Sequence, residues 1–458
     1  MRGTVATRAA ARSGTALSVN PITLDELPPS VLREILRRLP VEQRARVACV
    51  CRRWRDVLAD PTMWTVLDLT APGIMHAERV THARLLAAAA MARGRLEVLV
   101  FDHIRGAFMF HVLLAIATAN TASLREVRSL TLEEHGGRYD GRETEHGVDE
   151  AQALLLAAPA LQVLEANVTC GFATARRMLR NEPPFGPLRL VGLQVDCQNA
   201  DRDIAALSAD LAAHRGSPLT SLVLFCDGQP FMEPLRPDEL ESLVTAALPH
   251  RLDYVGFFEC GLTPATVPAL CRLLSSTTLT DLRIVQLTTL GQLLDEQAAG
   301  LLAEALRANR TLVDLSLEAV LDASACGALV VLALVGHPRL RKLRCELVSG
   351  PDVLGGPATG ALFGAALGAL IAGNSPALQQ LSLDQGFDLD EATLGPLCDA
   401  LPRNTHLQEL CLLEIPMSAA FAAQRLLPAV RANNSLRRLM ADDVAEEAVR
   451  LVEARVEW

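Results

Sequence analysis

Apolar residues recur along this chain with two different periods. Between Ile22 and Leu69 the spacing is helical: Val31, Leu32, Ile35, Leu36 and Leu39 share one stripe, with Arg33, Glu34, Arg37 and Arg38 on the other side. Ser30 stands where an N-cap is expected and Pro40 ends the run. A second helix is predicted from near Val41, with Val47, Val50, Cys51, Trp54 and Leu58 on its apolar stripe and Asp60-Pro61 as its stop. Leu67-Asp68-Leu69 alternates and predicts a short strand.

From about Leu96 the pattern becomes a phrase: Leu, two residues, an apolar residue, one residue, a third apolar residue. It is clearest at Leu279-Thr-Asp-Leu282-Arg-Ile284, Leu312-Val-Asp-Leu315-Ser-Leu317, Leu378-Gln-Gln-Leu381-Ser-Leu383 and Leu407-Gln-Glu-Leu410-Cys-Leu412. Weaker copies start at Leu96, Val127, Leu161, Leu190, Leu219, Leu252, Leu340 and Leu436, mostly at intervals of about 27 to 34 residues. Helical segments such as Asp295 to Asn309 lie between them, and Arg307-Ala308-Asn309 is echoed by Arg431-Ala432-Asn433. A single strand-plus-helix unit cannot bury its apolar face, so about twelve units are predicted to stack into one solenoid with a parallel sheet inside and helices outside. The fold class is therefore α/β: a tail over 1–21, a helical module over 22–70 and a repeat domain over 71–458.

The order Leu27-Pro28, Leu32, Ile35, Leu36, Leu39, Val47, Val50-Cys51-Arg52-Arg53-Trp54-Arg55, Leu58, Asp60-Pro61, Trp64, Leu67-Asp68-Leu69 closely resembles the F-box. A departure is the polar run Glu42-Gln43-Arg44, where that family usually has an apolar residue. The repeats resemble leucine-rich repeats of the ribonuclease-inhibitor type, although the slot expected to hold asparagine carries Cys260, Leu287, Val320, Gly386 and Ile415. The resemblance implies docking on a Skp-family adaptor within a cullin ubiquitin ligase of the SCF type, with the repeats holding a protein target. It assigns docking to Leu27, Pro28, Leu32, Ile35, Leu36, Leu39, Val47, Val50, Cys51 and Trp54, without separating residues that touch the adaptor from residues that pack the module. The alternative is a scaffold or inhibitor whose module only caps the solenoid.

Composition narrows the chemistry. Half of the residues are hydrophobic but only 4% aromatic, so the core must be aliphatic. A formal net charge of −10 argues against nucleic acid as partner, since phosphate binding needs clustered cations. Eleven scattered cysteines, with Cys49 and Cys51 the only close pair, fit reduced thiols in the cytosol or nucleus. That pair lacks a second Cys/His pair at zinc spacing and is expected to pack in the core. Lys342 is the only lysine, which fits compositional bias better than it fits a ligase subunit that avoids modifying itself.

The segment Glu133 to Glu150 reads as a charged rim loop. Gly356, Gly360, Gly364 and Gly368 recur every fourth residue in an uncharged run too short for a bilayer, so they predict close helix packing. Asp442, Asp443, Glu446 and Glu447 follow the last phrase and predict a terminal cap. The 1–21 tail is basic, with Arg2, Arg8 and Arg12 and no acid, and reads as disordered.

No phosphate loop, zinc pair or hydrolase elbow is present, and His103, His111, His135 and His146 straddle different elements. No cofactor, metal or catalytic role is expected, and function must come from a surface. Alternation places Phe225, Tyr254 and Phe258 on the concave face of neighbouring strands as a candidate target-binding patch. Packing of these rings into the core stays open as the alternative. Farther on, Asp314, Ser316, Glu318, Lys342, Arg344, Glu346, Gln380, Ser382 and Asp384 predict a mixed-charge face.

Overall fold

The computed structural model describes residues 27–39, 41–68, 82–100, 104–105, 107–133, 148–197, 203–214, 219–226, 234–286, 294–321, 325–347, 357–384 and 391–456. The 1–21 tail, most of the charged loop after Glu133, Gly356 and three of the four grouped histidines lie outside them. His111 falls within the helix Ala107–Ala119.

Three short helices open the chain: α1 (Pro29–Arg37), α2 (Val41–Val47) and α3 (Arg52–Leu58), followed by a 3-10 turn over Pro61–Trp64. Then comes a sheet of fourteen strands. They are β1 (Val66–Asp68), β2 (Val98–Val100), β3 (Ile104–Arg105), β4 (Glu126–Glu133), β5 (Val163–Gly171), β6 (Leu188–Asp196) and β7 (Ser221–Phe225). The second half holds β8 (Tyr254–Phe258), β9 (Asp281–Val285), β10 (Asp314–Leu321), β11 (Lys342–Leu347), β12 (Gln380–Asp384), β13 (Glu409–Leu412) and β14 (Arg438–Ala441). Strands follow one another across the sheet in chain order, apart from β3, which pairs only with β4. Pairing is parallel, and from β6 onward each phrase lies in register with the next, as in Leu282, Leu315, Leu343, Leu381 and Leu410. The fold is a leucine-rich-repeat solenoid. No helix among the described residues is long and apolar enough to cross a membrane.

Where their burial is described, the second and third apolar positions of the phrases are nearly sealed from solvent, Ala441 only partly, and they join the inner faces of the outer helices in one continuous core. That core also takes in Leu32, Leu36, Leu58, Met63, Trp64 and Leu67, so the helical module shares it with the repeats. The sheet itself starts inside the module, because Val66, Leu67 and Asp68 pair with Val98, Leu99 and Val100.

Close packing explains two of the spaced glycines, Gly364 and Gly368. A Cβ on Gly364 would stand 2.4 Å from the carbonyl oxygen of Thr393, and one on Gly368 would stand 2.8 Å from Pro396. Helix Pro357–Ala372 thus lies directly against helix Glu391–Ala400, with backbone nearly touching backbone.

An asparagine ladder exists, but not in the expected slot. Asn309, Asn404 and Asn433 sit three residues ahead of Leu312, Leu407 and Leu436, where each helix gives way to the next strand. The Asn404 amide donates to Ile371 O at 2.9 Å in the preceding repeat, while its carbonyl accepts from the N–H groups of His406 at 3.0 Å and Leu407 at 2.8 Å. Asn309 and Asn433 repeat the arrangement. At the equivalent place His337 Nδ1 accepts from Leu340 N, and the Ser375 hydroxyl donates to His337 O. These buried polar groups satisfy backbone that no helix or strand ladder reaches.

Candidate functional site

Pro29 starts α1, and Ser30 lies inside the first turn rather than capping it. Proline suits that place because the first N–H groups of a helix have no partner within it. Along α1 the apolar residues split into two sets. Leu32 and Leu36 are buried, whereas Val31 and Ile35, one turn apart, are 43% and 40% exposed.

The predicted second helix is in fact two. Residues 48–50 close α2 with tightened turns, Cys49 N donating to Arg46 O and Val50 N to Val47 O. Cys51 is then extended and redirects the chain so that α3 packs on α1. Val50 therefore leaves the apolar stripe and is 66% exposed, and Cys49 is exposed rather than in the core. Leu39, Val47 and Trp54 are partly buried against the core, Leu27 and Cys51 are half-buried, and Pro28 is exposed.

The polar run has an internal use. Arg44 is buried, and its guanidinium donates to Arg37 O at 2.6 Å, Leu39 O at 2.8 Å and Met63 O at 2.7 Å. Two of these carbonyls lie at the C-terminal end of α1, where orphan acceptors and the helix dipole favour a cation. One side chain thus ties α2 to the end of α1 and to the 3-10 turn. Asp60 caps that turn through Thr62 N at 2.9 Å, and this bond holds its carboxyl below the usual range. Trp64 Nε1 donates to Leu58 O at 2.7 Å, and Arg53 donates to Leu27 O.

The structure therefore sorts the ten docking candidates. Leu32 and Leu36 are closed off from any partner, because they face the shared core; Pro28, Ile35 and Val50 present apolar surface outward. Val31 belongs with the outward set and was missed. Its place one turn before Ile35 was the available signal.

The second surface is the open face of the sheet, concave in a solenoid of this type. Phe225, Tyr254 and Phe258 lie there half-buried, outside the core cluster. Phe225 and Phe258 are register partners with ring centroids 6.1 Å apart and planes tilted by 34°. Gly256 makes room for the patch: a Cβ there would stand 2.7 Å from the Phe258 ring, 3.2 Å from the Tyr254 hydroxyl and 3.4 Å from Val223. The two rings thus lean over the bare backbone of β8 from either side.

Beside Tyr254 the same row continues as Asp281, Asp314, Lys342 and Gln380 on β9 to β12. The next row carries Arg283, Ser316 and Arg344. Glu318 accepts from Ser316 Oγ at 2.6 Å and pairs with Arg344 at 3.4 Å and Arg283 at 3.9 Å. Burial pushes the Tyr254 pKa up, and the nearby Arg283 opposes that rise. Burial, with Asp314 alongside, also raises Asp281 to about 6. Asp281 and Arg283 were missed by the sequence reading although their phrase, starting at Leu279, was among the clearest.

These features define a class: an F-box-like module joined to a leucine-rich-repeat solenoid. Residues 24–70 match the family described as F-box-like. Among curated proteins the chain is similar to F-box/LRR-repeat protein 12 of Homo sapiens, 50% identical over 48 residues, which is 10% of this chain and 15% of that protein. The proteins of the same name from Mus musculus and Bos taurus are 46% and 44% identical over 48 residues. The chain thus spans only 15% of the length of these relatives.

Proposed function

We propose that this protein is the substrate-recognition subunit of an SCF-type cullin ubiquitin ligase, working in the cytoplasm or nucleus. The F-box-like module docks on a Skp-family adaptor, and the repeats hold a protein target. The chain itself supplies no reacting group: it raises the local concentration of target near a ubiquitin-loaded enzyme, and the rate gain comes from proximity. The observation that carries this reading is the outward set Pro28, Val31, Ile35 and Val50, apolar surface left uncovered on a module whose Leu32, Leu36, Leu58, Met63 and Trp64 are buried.

Purified full-length chain mixed with a Skp-family adaptor should co-elute as one complex. Changing Val31 and Ile35 together to Asp should abolish co-elution while the repeat array keeps its melting transition. If the native chain and adaptor elute separately, the reading fails.

A second reading keeps the module as a cap on the solenoid with no ligase role. It is favoured by the pairing of β1 with β2 and by the shared core. Under that reading the Val31/Ile35 change leaves every partner of the chain unaffected.

A further inference from the structure

On the open face the aromatic patch ends where the charges begin, and those charges are unevenly matched. Arg283 and Arg344 both turn to Glu318, and Lys342 stands 4.0 Å from Asp314. Asp281 forms no ion pair and accepts no side-chain hydrogen bond among the described residues; Asp314 adds negative charge beside it, which Arg283 and Lys342 offset only in part from beyond ion-pair distance. The cations are engaged and a half-buried carboxylate is not, so the surface favours a cationic ligand over an anionic one. The adjoining apolar surface is equally specific: this chain has only 12 Phe and 2 Tyr, yet Phe258 and Tyr254 meet over one glycine with Phe225 beside Phe258, all three half-buried.

We propose that this junction is the target-recognition site, and that its ligand is an extended segment of a protein carrying an aliphatic side chain and a nearby lysine or arginine. The aliphatic group seats against Phe225, Phe258 and Val223 above Gly256, and the cation meets Asp281 and Asp314. Strand geometry fixes the spacing. With about 3.3 Å per residue along a strand and about 4.8 Å between strands, Asp281 lies about 8 Å from Gly256 and about 14 Å from Phe258, and Asp314 lies about 12 Å from Gly256. An extended ligand covers that in about two to four residues. The inference rests on the ligase reading only in calling the ligand a target; the binding chemistry stands apart from it.

The test uses the full-length chain and fluorescein-labelled Gly-Ser peptides carrying Leu-Gly-Ser-Arg, Leu-Gly-Ser-citrulline or Leu-Gly-Ser-Glu, read by anisotropy. The arginine peptide should bind about tenfold more tightly than the citrulline peptide, as expected for a partly desolvated charge pair. Asp281→Asn combined with Asp314→Asn should erase that difference, and Phe225→Ala combined with Phe258→Ala should weaken both peptides. Equal affinities, preference for the glutamate peptide, or no binding of any peptide overturns the proposal. So does self-association of the chain that Phe258→Ala disrupts, since the face would then belong to a second copy. If the phenylalanine variants fail to fold, the peptide series and the isosteric asparagine pair still decide. Adaptor co-elution is measured on the same preparations. Peptide failure with the adaptor bound sinks this inference alone, and adaptor failure with peptide bound sinks only the ligase reading.

Discussion

Replacing Arg44 by Leu should loosen the N-terminal module without touching the repeats. The buried guanidinium serves three carbonyls at 2.6–2.8 Å. Hydrogen bonds from a charged donor contribute roughly 1.5–3 kcal/mol each, but desolvation of the cation offsets part of the sum. A net loss of about 3 kcal/mol is expected, a large fraction of what a unit of about 45 residues can hold. Native-state hydrogen exchange reads this directly. Amides of α1 and of Met63 to Leu67 should lose about a hundredfold in protection, since about 1.4 kcal/mol corresponds to tenfold. Amides of β9 to β13 should keep theirs. Arg44→Lys keeps the charge but not the planar fork, and should recover only part of the loss. Unchanged protection in α1, or an equal loss throughout the solenoid, would refute the claim that Arg44 is the tie between α2, α1 and the 3-10 turn.

Three further outcomes follow from the repeats. Asn404→Ala strips two buried backbone N–H groups and one carbonyl of their partner, and should cost about 3 kcal/mol in chemical denaturation; a change within error would show that water replaces the side chain. Gly364→Val forces atoms into the Thr393 backbone and should cost about 1–3 kcal/mol by overpacking, visible as a lower melting temperature. Asp281 has a folded-state pKa raised to about 6, above its ordinary value, so its ionisation opposes folding as pH rises through that range. Asp281→Asn should therefore stabilise the protein at pH 8 relative to the native chain and give no advantage at pH 4; a pH-independent difference would sink that assignment.

Much of the architecture is legible in the residue pattern. The twelve phrases, from Leu96 to Leu436, fall on strands of the sheet, although Val127, taken as a first position, pairs with the second positions Leu99 and Leu164; Gly364 and Gly368 mark a helix contact that only hydrogen side chains allow. The asparagine ladder was legible too, in the repeated Arg-Ala-Asn words, but was sought at the far end of the strand in the same repeat. What periodicity could not give was which side of each apolar residue meets protein. Val31 and Leu32, or Val50 and Trp54, look equivalent in a stripe, and only packing on the solenoid makes one of each pair inner and the other outer.

The sequence by itself determined the repeat, its period, the parallel strand order and the F-box-like opening, because these depend on local alternation and on order along the chain. The tertiary structure decided the break between α2 and α3, the burial of Arg44, the division of the module into inward and outward apolar sets, and the choice of the open face over the core for Phe225, Tyr254 and Phe258. Those depend on residues tens of positions apart being brought to within a few ångströms, and neither a helical nor a strand period carries that information.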